Sequence, residues 1–313
     1  MRQNTNSMKQ KILLCSVCLC LLFACKKDKK APDPSAKLYP ISVNVSGFSQ
    51  SQVPTDGIAK TKTLATQATD PIPVQTIYYM LIKGTGANID LVSMRHVNKG
   101  DPNFTQFNDN VPAGDYSVVF FGGSSNLTPH DAFPIPYFNY FLDYTSGGTL
   151  YWDDTFFKRV PFTVTNTGVN LAVEIPRVTA RLVVVLKDAI PAGVTKIVVS
   201  FPDANAYGIN GPRTLPAVPS TTNTSTSIIK STDIGTQNYT IAMNTLHDTT
   251  PFDVTISYYG SNQTGPLGTK TVKNVVCKTN TQTILSGNLF TQDNGQFQIT
   301  VDQDWNAPVN VNF

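Results

Sequence analysis

Glutamate occurs once in this chain of 313 residues, at Glu174. Its other acidic residues are aspartates, which prefer turns and caps to helix interiors. Threonine, valine, serine and asparagine dominate instead, and no stretch of the body keeps a helical period for long. That is the residue choice of strands. Cysteine is nearly confined to the start: Cys15, Cys18, Cys20 and Cys25 lie there, and only Cys277 stands beyond. The body therefore has no intrachain disulfide and no cysteine cluster for a metal. Cys277 follows Val275-Val276 in a strand-like run and reads as a small buried hydrophobe. The three histidines, His96, His130 and His247, form no metal-spaced pair. There is no Gly-x-Ser-x-Gly elbow, no glycine-rich loop opening a helix and no calcium loop of the Asp-x-Asp-x-Asp-Gly kind. Asp153-Asp154 come nearest to the paired carboxylates of a glycosidase. Adjacent residues on a strand face opposite ways, and in a loop they are usually solvated. The expectation is no enzyme, no metal and no cofactor.

Charge excludes a further class. The formal net charge of +3 is concentrated at the start of the chain. Residues 31–313 carry 17 basic and 20 acidic residues, so the body is slightly negative. Nucleic-acid binding wants a basic patch or stripe and finds none.

What is present begins at the N-terminus. Arg2, Lys9 and Lys11 precede an apolar run of roughly 13 residues from Ile12 to Ala24. A membrane-spanning helix needs about 20. Leu22-Phe23-Ala24-Cys25 has the form of a lipobox, in which Cys25 is lipidated and becomes the first residue of the mature protein. An ordinary cleaved signal and an uncleaved anchor are the alternatives, and spacing and composition favour lipidation. Lys26-Lys27-Asp28-Lys29-Lys30 and a proline-bearing spacer then form a tether with nothing to bury. Several acyl chains, at about 0.8 kcal/mol per buried methylene, hold a protein stably on a membrane.

From Leu38 the chain reads as strand after strand. Ile41, Val43 and Val45 alternate with Ser42 and Asn44, the period of a half-buried strand. Further strands are expected near 76–83, 89–96, 116–121, 159–165, 169–175, 178–186, 194–201, 239–243, 252–259, 269–277, 281–289, 297–301 and 309–313. Segment 122–157, rich in aromatics, is expected to be a long connection lying over a sheet. Segment 203–237 is expected to be a polar loop. Short strands at close spacing argue for two β-sandwiches. The chain divides into a signal peptide (1–24), a lipidated tether (25–37), an N-terminal sandwich (38–177) and a C-terminal sandwich (178–313).

Several runs together resemble a known family. Cys25-Lys26-Lys27-Asp28 is similar to the start of surface lipoproteins of Bacteroidota-type Gram-negative bacteria. Val45-Ser46-Gly47-Phe48 resembles the opening strand of fimbrillin-type lipoproteins, and Val111-Pro112-Ala113-Gly114-Asp115-Tyr116 resembles their turn into an inner strand. Ile175-Pro176-Arg177-Val178-Thr179-Ala180-Arg181 resembles the crossover between their domains, and Gly287-Asn288-Leu289-Phe290 with Trp305 fits their end. The family is the minor or anchor subunit of Bacteroidota type V pili. The resemblance implies an all-β protein of two transthyretin-like β-sandwich domains in tandem. It implies an outer-membrane, surface-exposed fimbrial anchor or minor subunit that meets pilus subunits by β-strand complementation. Stalk subunits of that family lose their first strand by cleavage after an arginine. Here no arginine stands between Arg2 and Arg95, and the loop after the first strand offers only Lys60 and Lys62. The first strand is thus expected to stay, with Val309–Phe313 the candidate donor strand. The alternative is a glycan-binding surface lipoprotein beside an outer-membrane uptake system, with the aromatic segment 133–157 as its surface.

Overall fold

A computed structural model of the protein describes residues 37–49, 74–85, 88–123, 128–130, 137–139, 142–143, 149–150, 152–204, 206–213, 222–291 and 297–302. Among them there is no α-helix, and one 3-10 turn stands at Ser231–Asp233. The signal, Cys25, Lys60, Lys62, Trp305 and Val309–Phe313 lie outside the described residues.

The expected alternation holds in β1 (Leu38–Ser49): Ile41, Val43 and Val45 are buried and Ser42 and Asn44 exposed. There follow β2 (Thr76–Thr85), β3 (Asn88–Asn98), β4 (Gln106–Pro112) and β5 (Gly114–Gly123). Four short strands come next, β6 (Thr128–His130), β7 (Tyr137–Asn139), β8 (Leu142–Asp143) and β9 (Thr149–Leu150). Then come β10 (Phe156–Val164) and β11 (Val169–Pro176). Two sheets result, ordered β11-β1-β4 and β10-β5-β2-β3. Between them lies a core that includes Ile41, Val43, Val45, Tyr79, Phe107, Phe120 and Ile175. Tyr79 and Phe107 stack at 4.8 Å between ring centroids, and Phe120 meets Phe107 edge-on at 5.4 Å. Arg95 closes this aromatic group from outside, 4.6 Å over the Tyr79 ring, with its guanidinium on Asp109 at 3.0 Å.

The remaining strands repeat the plan. They are β12 (Ala180–Leu186), β13 (Val194–Pro202), β14 (Ala206–Gly208), β15 (Gly211–Arg213), β16 (Thr222–Ile228), β17 (Tyr239–Thr245), β18 (Phe252–Gly260), β19 (Gly268–Val275), β20 (Gln282–Gly287) and β21 (Gln298–Asp302). One sheet runs β17-β12-β20-β21 and the other begins β19-β18-β13-β16. Each sandwich thus places its first strand between the fourth and the last strand of a seven-strand set. In both, first and last strands are parallel, β1 with β11 and β12 with β20. The fold is two transthyretin-like β-sandwiches in tandem. The second is extended in both sheets: β21 lies antiparallel along β20, where β11 of the first sandwich is a sheet edge among the described residues, and β9 and β8 continue the other sheet past β16.

Gly168 is required by this arrangement. It turns the chain from β10 into β11 at φ +78°, and a Cβ there would stand 2.5 Å from the carbonyl oxygen of Pro40. Only glycine fits so close to the β1 backbone.

Two expectations need correction. Segment 122–157 is more than a connection: β6 and β7 extend a sheet with β14 and β15, and β9 pairs in parallel with β16 at Leu150 opposite Asn223. Segment 203–237 is not one loop, because it contains β14, β15 and β16. Strands of two or three residues show no period. β16 reads Thr-Asn-Thr-Ser-Thr-Ser-Ile, with β-branched residues at alternate places but no apolar face, and only Asn223 of it is buried.

Candidate functional site

No described group of three His, Cys, Asp or Glu side chains converges as metal ligands. His96 lies against Tyr78, with 5.3 Å between ring centroids. His247 stacks on Phe252 at 4.1 Å, and its Nε2 is 2.6 Å from the carbonyl oxygen of Pro202. The side chain of His130 falls outside the described residues. Cys277 is fully buried, and burial first of all pushes its thiol up to about 11. The expected result is no labelling of the folded protein by iodoacetamide at pH 8 at a position-277 peptide, and full labelling in denaturant, read by mass spectrometry.

The acidic pair separates into two environments. Asp153 is half-buried, whereas Asp154 is buried, contrary to the expectation of solvated loop carboxylates. Arg177, itself 3% exposed, donates to Asp154 from Nε at 2.6 Å and from Nη2 at 2.7 Å. Thr179 Oγ1 donates to the same carboxylate at 3.3 Å, and Arg177 Nη1 donates to Asn280 Oδ1 at 3.3 Å. Burial pushes the Asp154 carboxyl up, and the Arg177 charge and hydrogen bonds oppose it. Arg177 lies between β11 and β12, so the pair fastens the chain where it passes from one sandwich to the next. The sequence marks Arg177 only through the crossover it resembles. Nothing in the local pattern says that its guanidinium is buried.

An apolar cluster adjoins this joint. Tyr78, Met80, Val119 and Phe121 from the outer face of β2 and β5 pack with Trp152, Tyr207, Ile209 and Leu246. Trp152 Nε1 donates to the carbonyl oxygen of Ala204 at 2.8 Å. β5 is consequently buried on both faces, and its run Tyr-Ser-Val-Val-Phe-Phe lacks alternation for that reason. Of the aromatic segment, Trp152 and Phe156 are buried and Phe157 packs on Phe121 and Tyr207. Trp152 and Phe156 are core and Phe157 packs against it; the segment's other aromatic side chains lie outside the described residues.

β1 and β21 lie at opposite extremes of burial. β1 is the central strand of its sheet, with Ile41, Val43 and Val45 each 1% exposed and Phe48 5%. Burial of such side chains contributes about 1.5–3 kcal/mol each. In β21, by contrast, Ile299 is 44% and Val301 41% exposed. Its ladder with β20 holds it, and its side chains add little.

Comparison with solved structures gives the fold. A candidate adhesin from Bacteroides ovatus is 11% identical, with a TM-score of 0.50, covering 84% of this chain and 93% of that one. Candidate polysaccharide-binding proteins from Bacteroides thetaiotaomicron are 10% identical, with a TM-score of 0.49 and 87% and 98% covered. The fimbrial anchor protein Mfa2 from Porphyromonas gingivalis is 12% identical, with a TM-score of 0.48 and 86% and 98% covered. No protein of curated function matches the sequence. Residues 142–313, more than half of the chain, match the model of a family described as "Family of unknown function (DUF6562)", and the chain belongs to that family.

Proposed function

We propose that this protein is a surface lipoprotein that anchors a fimbrium, or serves as one of its minor subunits. It is held in the outer membrane by lipid on Cys25 and meets pilus subunits by strand complementation. The observation that carries the reading is the place of β1. A stalk subunit must give up its first strand to open a groove, whereas an anchor must keep it, because that strand links the fold to the lipid. Here β1 lies between two neighbours with three side chains fully buried, 13 residues after Cys25. The sandwiches 38–177 and 178–313 are on this reading the two domains of the mature protein. Its role is structural, without a reaction. The described aromatic rings of the alternative glycan surface are packed in the core or against it, which favours the fimbrial reading over it.

Two variants test the proposal. Cys25→Ser should move the protein from the membrane fraction to the soluble fraction, and recovery in membranes would overturn the lipid anchor. Deleting residues 306–313 should leave the thermal transition in place while fimbriae detach from cells. Normal fimbriae on cells carrying the folded, truncated protein would remove the donor role from that segment.

A further inference from the structure

A groove of about 520 Å3 opens beside β5 and β10, within the usual size of small-molecule sites, roughly 300–1,000 Å3. Asp115 and Ser117 of β5 face it with Arg159, Pro161 and Thr163 of β10. The antiparallel register sets Thr163 opposite Asp115 and Pro161 opposite Ser117, so residues at alternate positions share this face. Arg159 is half-buried and braced. Its Nε donates to Ser117 Oγ at 3.4 Å, and its Nη1 donates to Asn210 Oδ1 at 3.0 Å. Asn210 belongs to the turn between β14 and β15, so the guanidinium is held from two sides. Among the described residues its Nη2 has no partner. Thr163 Oγ1 donates to Asp115 Oδ1 at 2.7 Å, which orients that exposed carboxylate and leaves Oδ2 open. Pro161 has no N–H to offer at the sheet edge, which discourages a pairing strand there.

The geometry points to a saccharide bearing a carboxylate, such as a uronic acid unit, as the ligand of this groove. A planar guanidinium suits a carboxylate, and its charge-assisted hydrogen bonds are the stronger kind. The Asp115 carboxylate suits hydroxyl donors. The Thr163 hydroxyl, whose proton goes to Asp115, accepts from a ring hydroxyl, while the buried Ser117 Oγ serves to hold Arg159. Gly84 and Pro161 leave apolar surface for the C–H face of the sugar. An acidic peptide would satisfy Arg159 but would leave Thr163 Oγ1 and the open Asp115 oxygen with little to do. This site is independent of the fimbrial role.

Titration calorimetry on the full chain in detergent tests it, with trigalacturonic acid as the probe and a chelator present. Its methyl ester, maltotriose and triglutamate are the comparisons. The acid should bind at least about tenfold more tightly than its ester or maltotriose, a factor that corresponds to about 1.4 kcal/mol. Arg159→Gln should abolish that preference. Asp115→Asn, on an exposed side chain, should weaken binding severalfold with an unchanged melting temperature, and it keeps the test valid if the Arg159 variant fails to fold. Equal binding of acid and ester, tighter binding of triglutamate, indifference to both substitutions, or no heat up to roughly 10 mM would each overturn the assignment. None of these outcomes touches membrane retention or fimbriae, so the groove and the anchor fail separately.

Discussion

Replacing Asp154 by alanine should destabilise the protein by about 3–5 kcal/mol, the cost of leaving a buried charge without its counter-ion. Arg177 would keep its position, 5.4 Å from the Phe156 ring, and lose two hydrogen bonds of 2.6 and 2.7 Å. The Asn280 hydrogen bond at 3.3 Å does not replace them. Removing both charges at once, by Asp154→Leu with Arg177→Met, should be far milder than either change alone, because the expense lies in the orphaned ion and not in the pair. Urea unfolding of the single and double variants checks this. A single variant that costs less than about 1 kcal/mol would show that water reaches the joint.

The second large effect concerns β1. Val43→Asp should cost more than about 4 kcal/mol, since it puts an unpaired carboxylate among Ile41, Val45 and the aromatic core. Asn44→Asp, one residue on, should change stability by less than about 0.5 kcal/mol, because position 44 faces solvent. Thermal unfolding followed by circular dichroism separates the two. If the anchor reading holds, the first variant should also lose fimbriae from the cell while its lipid remains in the membrane. Equal effects at 43 and 44 would mean that β1 is not packed in its own sandwich.

That contrast between neighbouring positions is readable in the amino-acid order, and so are most of the long strands. Ile41, Val43 and Val45 announce one buried face. An unbroken apolar run is different: Leu182-Val183-Val184-Val185-Leu186 gives strand propensity without saying which face is buried, and all five side chains turn out to be buried. What stays hidden depends on partners distant in the chain. β14 and β15 have three residues each; they pair with one another, and β14 also pairs with the distant β7. β16 is polar along most of its length, and its place between β13 and β9 makes it a strand. Asp154 sits beside Asp153 and looks like any loop carboxylate until Arg177 arrives 23 residues later. Arg159 and Asp115 carry no motif either, since only the β5–β10 register brings them to one groove.

The parallel pairing of β1 with β11 bears on force. A pull toward the N-terminus enters the first sandwich at the start of β1, and the load leaves it at Pro176, the end of β11. In a parallel pair those two points lie at opposite ends of the ladder. The strands are therefore drawn past each other lengthwise, and the hydrogen bonds from Ile41 opposite Val169 onward share the load together. They do not open one after another, as they would if a hairpin were peeled apart. β12 and β20 repeat the geometry with Arg181 opposite Gln282. The first sandwich thus carries a shear clamp across its first and last strands, oriented to resist tension along the chain.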